Sequence, residues 1–459
     1  MTTELDRLTA FVARMQYDDL SADARQQLKI RVLDSLGCAI GALDGEPLGA
    51  IRKQLNDFGS NPLCSLIGGG RTAPDRAAFY NGALVRYLDY MDSYLAKDET
   101  CHPSDNLAAI LAAAEYADTD GKAFLTALAV AYQVHARFSD EAPVRDRGFD
   151  HTTQGAYAVG AGVAKALGLD AIRTANAIAL SGVGNVALRV TRTGELSQWK
   201  GLAYPNTAFV GTHAVFLAMR GITGPAEVFE GNKGFKESVS GPYRIDWENE
   251  NLERVTRTIV KKYNAEIHAQ SAIEGALELR ELHGLGGDAV ARVEINIFDV
   301  AHKIIGGGEE GDKTIVRTKE QADHSLQYMV AVALCDGELL PAQYAPQRIL
   351  APDVQSLLRR VAVRSDADFS ARFPQEMACR VNITLHDGRS FEIEKQDYEG
   401  FHTRPMSWAS VAEKFHRLAK PYANAEIDGT IVDTVGRLDK LRVRDLTRLL
   451  ASVGVNDRP

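Results

Sequence analysis

Hydrophobic residues recur at helical spacing along residues 1–265 of the chain. One predicted helix, with Ser21 as its candidate N-cap, carries these residues on a single face: Leu28, Val32, Leu33, Leu36 and Ile40. Alanine-rich segments with few β-branched residues are further predicted helices, at 107–117, 123–136, 156–167 and 171–180. Small side chains let helix axes approach closely, so these segments are typical of the interior of a helical array.

The spacing of the apolar residues changes near residue 265. Asn264 is a candidate cap for a helix that runs to Leu282, and Gly284 can end that helix. Residues 291–298 then alternate between apolar and polar side chains. This alternation predicts a strand with one buried face.

Further strand and helix patterns follow. Residues 381–385 alternate in the same way, and the turn Asp387-Gly388 separates them from a second alternation at 391–393, which predicts a β-hairpin. Residues 357–363 favour another strand, and residues 319–334 favour a helix.

The sequence therefore predicts a mainly α fold with an α+β part. A large all-helical domain is expected at 1–265 and a smaller α+β domain at 266–404. From 405 to 459 the pattern is helical again, so these C-terminal helices are expected to return to the helical domain.

Composition and charge exclude several classes of protein. Lys and Arg number 52 against 61 Asp and Glu, and the resulting net charge of −9 argues against a general nucleic-acid binder. Five cysteines with no CxxC spacing argue against a zinc ribbon, a disulfide framework and a clustered iron–sulfur site. The longest charge-free run, 201–219, contains Pro205 and His213 and predicts no membrane span. We expect a soluble, cytoplasmic protein without a membrane partner.

No cofactor motif has the structural context that it requires. Residues 182–187 fit the pattern GxGxxA, but the alanine-rich segment before them is helix-like, whereas a dinucleotide site needs a preceding strand. The chain has no HExxH and no GxSxG. The sequence thus predicts no cofactor and no metal.

The segment 88–107 carries the first candidate chemistry. Asp89 and Asp92 are three residues apart on one predicted helix face, and His102-Pro103 breaks the run before an apolar helix. A histidine in such a loop is well placed for proton transfer. The alternative is a solvated loop with a surface histidine.

His151 repeats this arrangement, because a polar loop at 149–155 leads into an alanine- and glycine-rich helix. The alternative for this residue is a cap or a surface position. His268 lies at the predicted domain junction, in the first turns of the helix that Asn264 would cap, where the positive helix end favours a neutral imidazole. The alternative there is a structural cap.

Three cations lie between two nearly charge-free segments: Arg189, Arg192 and Lys200. Cations flanked by buried helices are costly unless anions meet them, so they suggest a polycarboxylate ligand held by forked arginine contacts. Internal pairing with Asp89 or Asp92 is the alternative.

These segments together resemble the MmgE/PrpD family. The matching stretches follow one another along nearly the whole chain: 34–40, 81–92, 102–106, 196–200, 266–270, 322–326 and 391–408. The resemblance implies a large helical domain, a small α+β domain, a homodimer, and metal-free lyase chemistry on a tricarboxylate in a cleft between the domains. It places active-site positions on Asp92, His102, His151, Lys200 and the segment 262–268.

The family includes 2-methylcitrate dehydratases and cis-aconitate decarboxylases. In the decarboxylase branch a histidine occupies the position of Glu266, and Ala96 replaces a hydroxyl residue associated with that branch. The resemblance therefore implies dehydration of 2-methylcitrate in propionate catabolism, with citrate or aconitate as further substrates. Decarboxylation, epimerisation of a dicarboxylate, and a non-catalytic helical binding protein are the alternatives.

The mechanistic hypothesis assigns proton transfer to His102, oriented by Asp92, and to His151 or His268. Lys200 is expected to hold a substrate carboxylate. The further candidate substrate-binding residues are Asp89, Arg189, Arg192, Lys262, Gln270 and Tyr328.

Overall fold

The computed structural model describes residues 2–194, 196–308 and 311–454. The helices are α1 (Glu4–Arg14), α2 (Ala22–Gly41), α3 (Glu46–Phe58), α4 (Pro74–Tyr87), α5 (Leu107–Tyr116), α6 (Gly121–Glu141), α7 (Thr152–Ala166), α8 (Ala171–Val183), α9 (Trp199–Met219), α10 (Gln270–His283), α11 (Asp299–Ile305), α12 (Lys319–Ala322), α13 (Leu326–Asp336), α14 (Pro346–Ile349), α15 (Pro352–Leu358), α16 (Ala367–Arg372), α17 (Trp408–Ala419), α18 (Ala425–Gly436) and α19 (Val443–Ser452). The strands are β1 (Cys64–Ser65), β2 (Arg71–Thr72), β3 (Tyr94–Leu95), β4 (Thr100–Cys101), β5 (Val290–Ile297), β6 (Val361–Ser365), β7 (Cys379–Leu385) and β8 (Ser390–Lys395).

The chain divides into two compact units. The first comprises Met1–Arg192, Gly201–Thr258 and Ser407–Pro459, and the second comprises Thr193–Lys200 and Ile259–Met406. The sequence analysis placed the boundaries after residues 265 and 404, and it placed 193–200 in the helical domain. Residues 455–459 of the predicted C-terminal segment lie outside the described residues. Among the described residues, no helix is long and apolar enough to cross a membrane.

The first unit is a helical array, as the alanine-rich segments predict. Helix α6 packs against α7, and α7 packs against α8. A Cβ atom on Gly162 of α7 would lie 2.9 Å from the Cβ of Ala131 on α6, so only glycine permits this close approach. All residues from Leu107 to Glu115 of α5 are buried. The prediction of a mainly α fold is confirmed.

The C-terminal helices belong to this first unit. Helix α17 packs against α2, where a Cβ on Gly37 would lie 3.2 Å from the ring of Phe415. Buried Lys414 places its Nζ 2.6 Å from Asp34 Oδ1 of α2 and donates a 2.7 Å hydrogen bond to the main-chain oxygen of Tyr90. The same ammonium lies 3.6 Å from the centroid of the Tyr90 ring. One side chain of α17 thus holds both α2 and the segment before Asp92.

The second unit contains a four-stranded sheet in the order β6-β5-β7-β8. Strand β5 is parallel to β6 and antiparallel to β7, and β7 forms the predicted hairpin with β8. Buried and half-buried residues alternate along β7, and α10 packs on β7 and β8. The sheet therefore has one face covered by a helix, as the alternating pattern predicts.

The structure corrects the predicted start of α10. Asn264 does not cap it: Glu266 instead caps a 3-10 turn at Ile267–Ala269, where its side chain accepts from the His268 N–H, and α10 begins at Gln270. The predicted end is confirmed, because Gly284 follows the helix in the left-handed conformation with φ +61°.

Two further predicted elements are divided. The helix expected at 319–334 breaks into α12 and α13, because the Ser325 hydroxyl accepts a hydrogen bond from the Tyr328 N–H and caps a new helix. The strand expected at 357–363 is the end of α15 followed by β6. Apolar spacing over so few residues does not distinguish a helix end from a strand start.

Candidate active site

His102 is held between strand β4 and the 3-10 turn Pro103–Asn106. Its side chain is only 8% exposed, so it is not the solvated histidine of the alternative interpretation. Nδ1 lies 2.8 Å from the main-chain oxygen of Asp92 and 3.0 Å from Ser93 Oγ. Because a carbonyl oxygen can only accept, this network assigns a proton to Nδ1, and in the neutral imidazole the lone pair is then on Nε2.

The carboxylate of Asp92 fixes the loop around His102. Its Oδ1 accepts from the main-chain N–H of Ser104 at 3.1 Å, and its Oδ2 accepts from the hydroxyl of Tyr132 at 2.9 Å. Burial raises the pKa of Asp92, and the hydrogen bonds from Ser104 and Tyr132 oppose this effect. Asp92 therefore contacts His102 through its main-chain oxygen, while its side chain holds the following turn.

His151 lies beside His102. The ring centroids are 5.5 Å apart in an edge-to-face arrangement, and His151 is 3% exposed at the start of α7. Nη2 of Arg192 lies 3.2 Å from Nε2 of His151. A guanidinium can only donate, so Nε2 accepts and the proton is on Nδ1. Burial lowers the pKa of His151 well below 6.5; the charge of Arg192 lowers it further, and the charge of Asp150 opposes both effects. The imidazole is therefore neutral.

Arg192 is paired with a carboxylate that the sequence analysis did not single out. Its Nε lies 2.6 Å from Oδ2 of Asp150, and its Nη2 lies 3.4 Å from Oδ1. A bridge between Phe149 and Leu188 brings the two segments side by side. Although burial opposes it, the charge of Arg192 holds the pKa of Asp150 far below its usual range. The internal partner of Arg192 is thus Asp150.

A third histidine extends this group. His135 stacks on His151 with ring centroids 5.8 Å apart, and Tyr204 lies 5.9 Å from His151. The Tyr204 hydroxyl donates to Oδ1 of Asn106 at 2.9 Å. Burial lowers the pKa of His135 to about 3, so this imidazole is neutral as well. Two neutral imidazoles and a phenol therefore pack together next to Arg192.

Asp105 is a buried carboxyl group near Arg86. Its Oδ2 is 4.0 Å from Nε of Arg86, and neither carboxyl oxygen has a hydrogen-bond partner among the described residues. Burial raises the pKa of Asp105 to about 7, against the charges of Arg86 and Arg192. Asp89, a predicted substrate ligand, lies 2.7 Å from Nη1 of Arg86 and has a left-handed backbone with φ +53°. Asp105 thus retains a proton up to about neutral pH, while Asp89 pairs with Arg86.

Arg189 begins the 3-10 turn that ends at Arg192. In such a turn side chains three residues apart lie over one another, which fits the predicted shared face. The main-chain N–H of Arg189 donates to the oxygen of Gly148 at 2.9 Å, and its side chain is half-buried. The role of Arg189 in substrate binding stays a prediction.

The second unit holds its own group of ionic side chains around Lys200. Nζ of Lys200 lies 3.2 Å from Oδ1 of Asp323 and 3.0 Å from Nδ1 of His324. Nζ of Lys319 lies 2.7 Å from the other oxygen of Asp323. Burial opposes ionisation of Asp323, but Lys200 and Lys319 hold its pKa far below the usual range. Two ammonium groups therefore share one buried carboxylate.

Glu266 and His268 form a buried pair in the same unit. Oε1 of Glu266 lies 2.7 Å from Nδ1 of His268, whose ring packs against both Phe298 and Phe373. Although burial opposes it, the interaction with His268 lowers the pKa of Glu266 to about 2. Nε2 of His268 has no hydrogen-bond partner among the described residues. Glu266 is thus a carboxylate that orients His268.

Lys262 and its neighbour Lys261 differ in burial. The side chain of Lys262 is about one-third exposed, with Nζ 2.8 Å from Oε2 of Glu399. Lys261 has no exposed surface, and its charge helps to lower the pKa of Glu266. The sequence analysis singled out Lys262. The two lysines lie in an irregular segment, so no periodic pattern indicates which of the two side chains is buried. Lys261 is the buried cation of the two.

Two other predicted substrate ligands use their polar atoms on the main chain. The Gln270 side-chain oxygen accepts from the N–H groups of Lys262 and Tyr263, both at 3.0 Å. The hydroxyl of Tyr328 donates to the main-chain oxygen of Gln343. These contacts position the surrounding turns, and a part in substrate binding stays a prediction.

Buried neutral histidines beside a guanidinium, with a buried carboxyl group of raised pKa in the turn that follows His102, are typical of an enzyme that moves protons. Comparison with protein families identifies this enzyme class further. The MmgE/PrpD N-terminal domain matches residues 6–248, and the MmgE/PrpD C-terminal domain matches residues 263–439. The chain belongs to the MmgE/PrpD family.

Individual relatives are similar over most of their length. The 2-methylcitrate dehydratase of Escherichia coli K12 is 29% identical and covers 85% of this chain and 84% of its own. The cis-aconitate decarboxylase of Mus musculus is 25% identical over 94% of this chain and 89% of its own. An alkylcitrate dehydratase of a fungal species is 27% identical, and the match covers 100% of this chain and 96% of the relative's own length. These relatives are named as lyases of two kinds, dehydratases and a decarboxylase.

Proposed function

We propose that the protein is a hydro-lyase that dehydrates 2-methylcitrate to 2-methylaconitate in propionate catabolism, with citrate and aconitate as further substrates. The observation that carries the proposal is the buried pair of His102 and His151, whose hydrogen bonds assign a proton to Nδ1 of each ring. The similarity to several 2-methylcitrate dehydratases supports the choice of substrate.

Dehydration removes a proton from the carbon next to a carboxylate and expels hydroxide from the neighbouring carbon. Nε2 of His102 carries a lone pair and is the proposed base. Two groups hold a proton that can accompany the departing oxygen as water: Nδ1 of His151 and the carboxyl group of Asp105. Arg192 has five donors, so it can bind Asp150 and still stabilise a substrate carboxylate.

Lys200 is the proposed cation for a second carboxylate, since buried Asp323 holds its ammonium in place. His268, oriented by Glu266, is a further candidate for proton transfer. The expectation that both groups of residues act on one substrate stays a prediction. Lys200→Ala should weaken binding and positioning of the substrate, and unchanged kinetics would argue against this role.

The decisive experiment incubates the purified protein with a panel of tricarboxylates and dicarboxylates. The proposal expects absorbance near 240 nm, from a conjugated alkene acid, with 2-methylcitrate, and NMR should identify 2-methylaconitate as the product. His102→Gln, prepared in the same way, controls for contaminating enzymes. A panel without turnover would favour the non-catalytic binding protein, and interconversion of two stereoisomers would favour the epimerase.

The proposed chemistry uses side chains rather than a metal ion. Dialysis against a chelator should therefore leave the rate of 2-methylcitrate dehydration unchanged, because His102 and its partners supply the proton transfers. A rate that falls on chelation and returns with one added metal would contradict this part of the proposal.

Decarboxylation of cis-aconitate is the second candidate, which the similarity to the mouse decarboxylase supports. Glu266 argues against it: its carboxylate is bound to His268, at the position where that branch is expected to carry a histidine. Release of CO₂ from cis-aconitate at a rate above that of 2-methylcitrate dehydration would reverse the assignment.

We also propose that the protein works as a cytoplasmic homodimer, as the family resemblance implies. Light scattering should give a mass of twice 50.0 kDa. Cell fractionation should recover the protein with the soluble cytoplasmic enzymes.

A further inference from the structure

Glu99 is a buried acidic residue that the proposed mechanism does not use. It lies in the hairpin formed by β3 and β4, and only 2% of its surface is exposed. The strands pair Tyr94 with Cys101 and Leu95 with Thr100. His102 follows Cys101 directly, so the position of this hairpin determines where the His102 ring lies.

The carboxylate of Glu99 reaches the segment that leads to His151. Its Oε2 accepts a hydrogen bond from the N–H of Val144 at 3.1 Å and another from the N–H of Arg145 at 3.0 Å. The chain continues from these two amides through a 3-10 turn at Arg145–Arg147 to Phe149 and Asp150.

The other end of that segment is fixed independently of Glu99. The N–H of Asp150 donates to the oxygen of Ala187 at 2.9 Å, and the N–H of Arg189 donates to the oxygen of Gly148 at the same distance. Together, these bonds and Glu99 hold both ends of residues 144–150. The first end is tied to the His102 hairpin, and the second to the segment of Arg192.

A neutral side chain could satisfy the same two amides at lower cost. Burial raises the pKa of Glu99 to about 7, against the hydrogen bond from Val144 and the charge of Arg189. A buried carboxylate destabilises a fold relative to an uncharged acceptor of the same shape. The contribution of Glu99 is thus in the geometry of its two bonds and not in stability gained from its charge.

We infer that Glu99 is a positioning residue, whose bonds to Val144 and Arg145 set the separation of His102 and His151. The inference rests on the proposed roles of these two histidines. Proton transfer depends steeply on the placement of its groups, so a shift of about 1 Å can cost about 100-fold in rate. Glu99 therefore acts on turnover through the relative position of the two rings, without touching the substrate.

Three variants of the full-length protein test the inference with 2-methylcitrate as substrate. Glu99→Ala removes both bonds and should lower kcat by about 10- to 100-fold with KM within about threefold of wild type. Glu99→Gln keeps an acceptor oxygen at the same reach and should restore kcat to within about threefold. Glu99→Asp keeps the charge but is one methylene too short, so its kcat should fall towards that of Glu99→Ala.

Tyr94→Phe is the matched control in the same hairpin. Its hydroxyl donates to Asp140 at 3.0 Å and accepts from Arg254, and both of these partners lie outside residues 144–150. The control should keep the wild-type kcat. If Glu99→Gln loses as much rate as Glu99→Ala, or if Glu99→Ala keeps the wild-type kcat, the inference is overturned.

The histidine ring nitrogens give a readout that needs no substrate. In NMR spectra of the ¹⁵N-histidine protein, the signals of His151 and His102 should shift in Glu99→Ala and stay in place in Glu99→Gln and Tyr94→Phe. This measurement separates the inference from the proposed function, because it remains informative if 2-methylcitrate is not the substrate. Unshifted signals in Glu99→Ala would show that the carboxylate does not position the rings.

Discussion

At the scale of single residues, the same device occurs in both units. Asp150 precedes His151 and pairs with Arg192, and Asp323 precedes His324 and pairs with Lys200. In each case a buried carboxylate fixes a cation from another part of the chain against the adjacent imidazole. The Asp-His dipeptide is therefore a signal in the sequence that could have identified both acidic partners.

Replacing His102 by Gln tests the proposed base. The variant should lower kcat about 10²- to 10⁴-fold with a modest change in KM, because the amide cannot take a proton from carbon. Absorbance near 240 nm with 2-methylcitrate measures the rate. His213→Gln is the control, since His213 is more than half exposed and lies near Asp75 on the surface. A near-normal rate in His102→Gln would remove the assignment.

His135 makes stability depend on pH. The pKa of His135 is lowered to about 3 in the folded protein and is near 6.5 in the unfolded chain. Between these pH values the residue is neutral when folded and binds a proton when unfolded. The free energy of unfolding should therefore fall as the pH falls from about 6.5 towards 3, by about 1.4 kcal/mol per pH unit from this residue. His135→Gln should reduce that slope in urea unfolding curves. An unchanged slope would contradict the burial of a neutral imidazole.

The sequence supplied the types of residue in the site better than their partners. His102, His151 and Arg192 stand out because histidines and cations interrupt apolar segments. Their partners lie at distant positions in the sequence: Asp150, for example, pairs with Arg192, and no periodicity connects the two. The choice between Lys261 and Lys262 depends on a turn that has no repeating pattern. Which residues pair across the fold is a tertiary property, so such pairs cannot be predicted from a single sequence.

At the scale of elements, regular segments were predictable and their interruptions were not. The alanine-rich helices and the hairpin of β7 and β8 follow from spacing alone. The break between α12 and α13 depends on the Ser325 cap and on Asp323, whose carboxylate binds Lys200. Apolar residues continue across that break, so their spacing does not indicate where one helix ends and the next begins.

The brace between α17 and α2 is testable at this scale. Lys414→Met removes the ammonium that Asp34 and the Tyr90 oxygen share, and it leaves a buried carboxylate without this partner. The free energy of unfolding should fall by about 3–5 kcal/mol in urea titrations. The double variant Asp34→Asn, Lys414→Met should recover part of that loss, because the unpaired charge is gone. A double variant no more stable than Lys414→Met would contradict the ion pair.

At the scale of the whole molecule, the first unit is built from separated parts of the chain. Residues 407–454 supply α17, whose Val411, Phe415 and Leu418 are buried. The sequence predicted this return from helical spacing after residue 405, but the assignment of 193–200 to the second unit has no counterpart in the pattern. Compact units are defined by contacts, and contacts between remote segments leave no local signature.

A chain cut after residue 406 tests this organisation. Without α17 the apolar surface of α2 is exposed, so the shortened chain should aggregate or melt at a lower temperature than the full chain. Expression of residues 407–459 as a second polypeptide should restore soluble protein, whereas a Lys414→Met fragment should restore less. A stable, monodisperse 1–406 chain would contradict the role of the return.

The bond from Lys414 to Tyr90 joins residues 324 positions apart. The ribosome synthesises the chain from the N-terminus, so α2 and the loop before Asp92 leave the exit tunnel long before Lys414 has been synthesised. Asp34 therefore stays solvated, in an incomplete helical array, until α17 has emerged. We expect the loop before Asp92 to reach its final structure only after α17 has been synthesised, and nascent chains stalled before α17 to depend on chaperones.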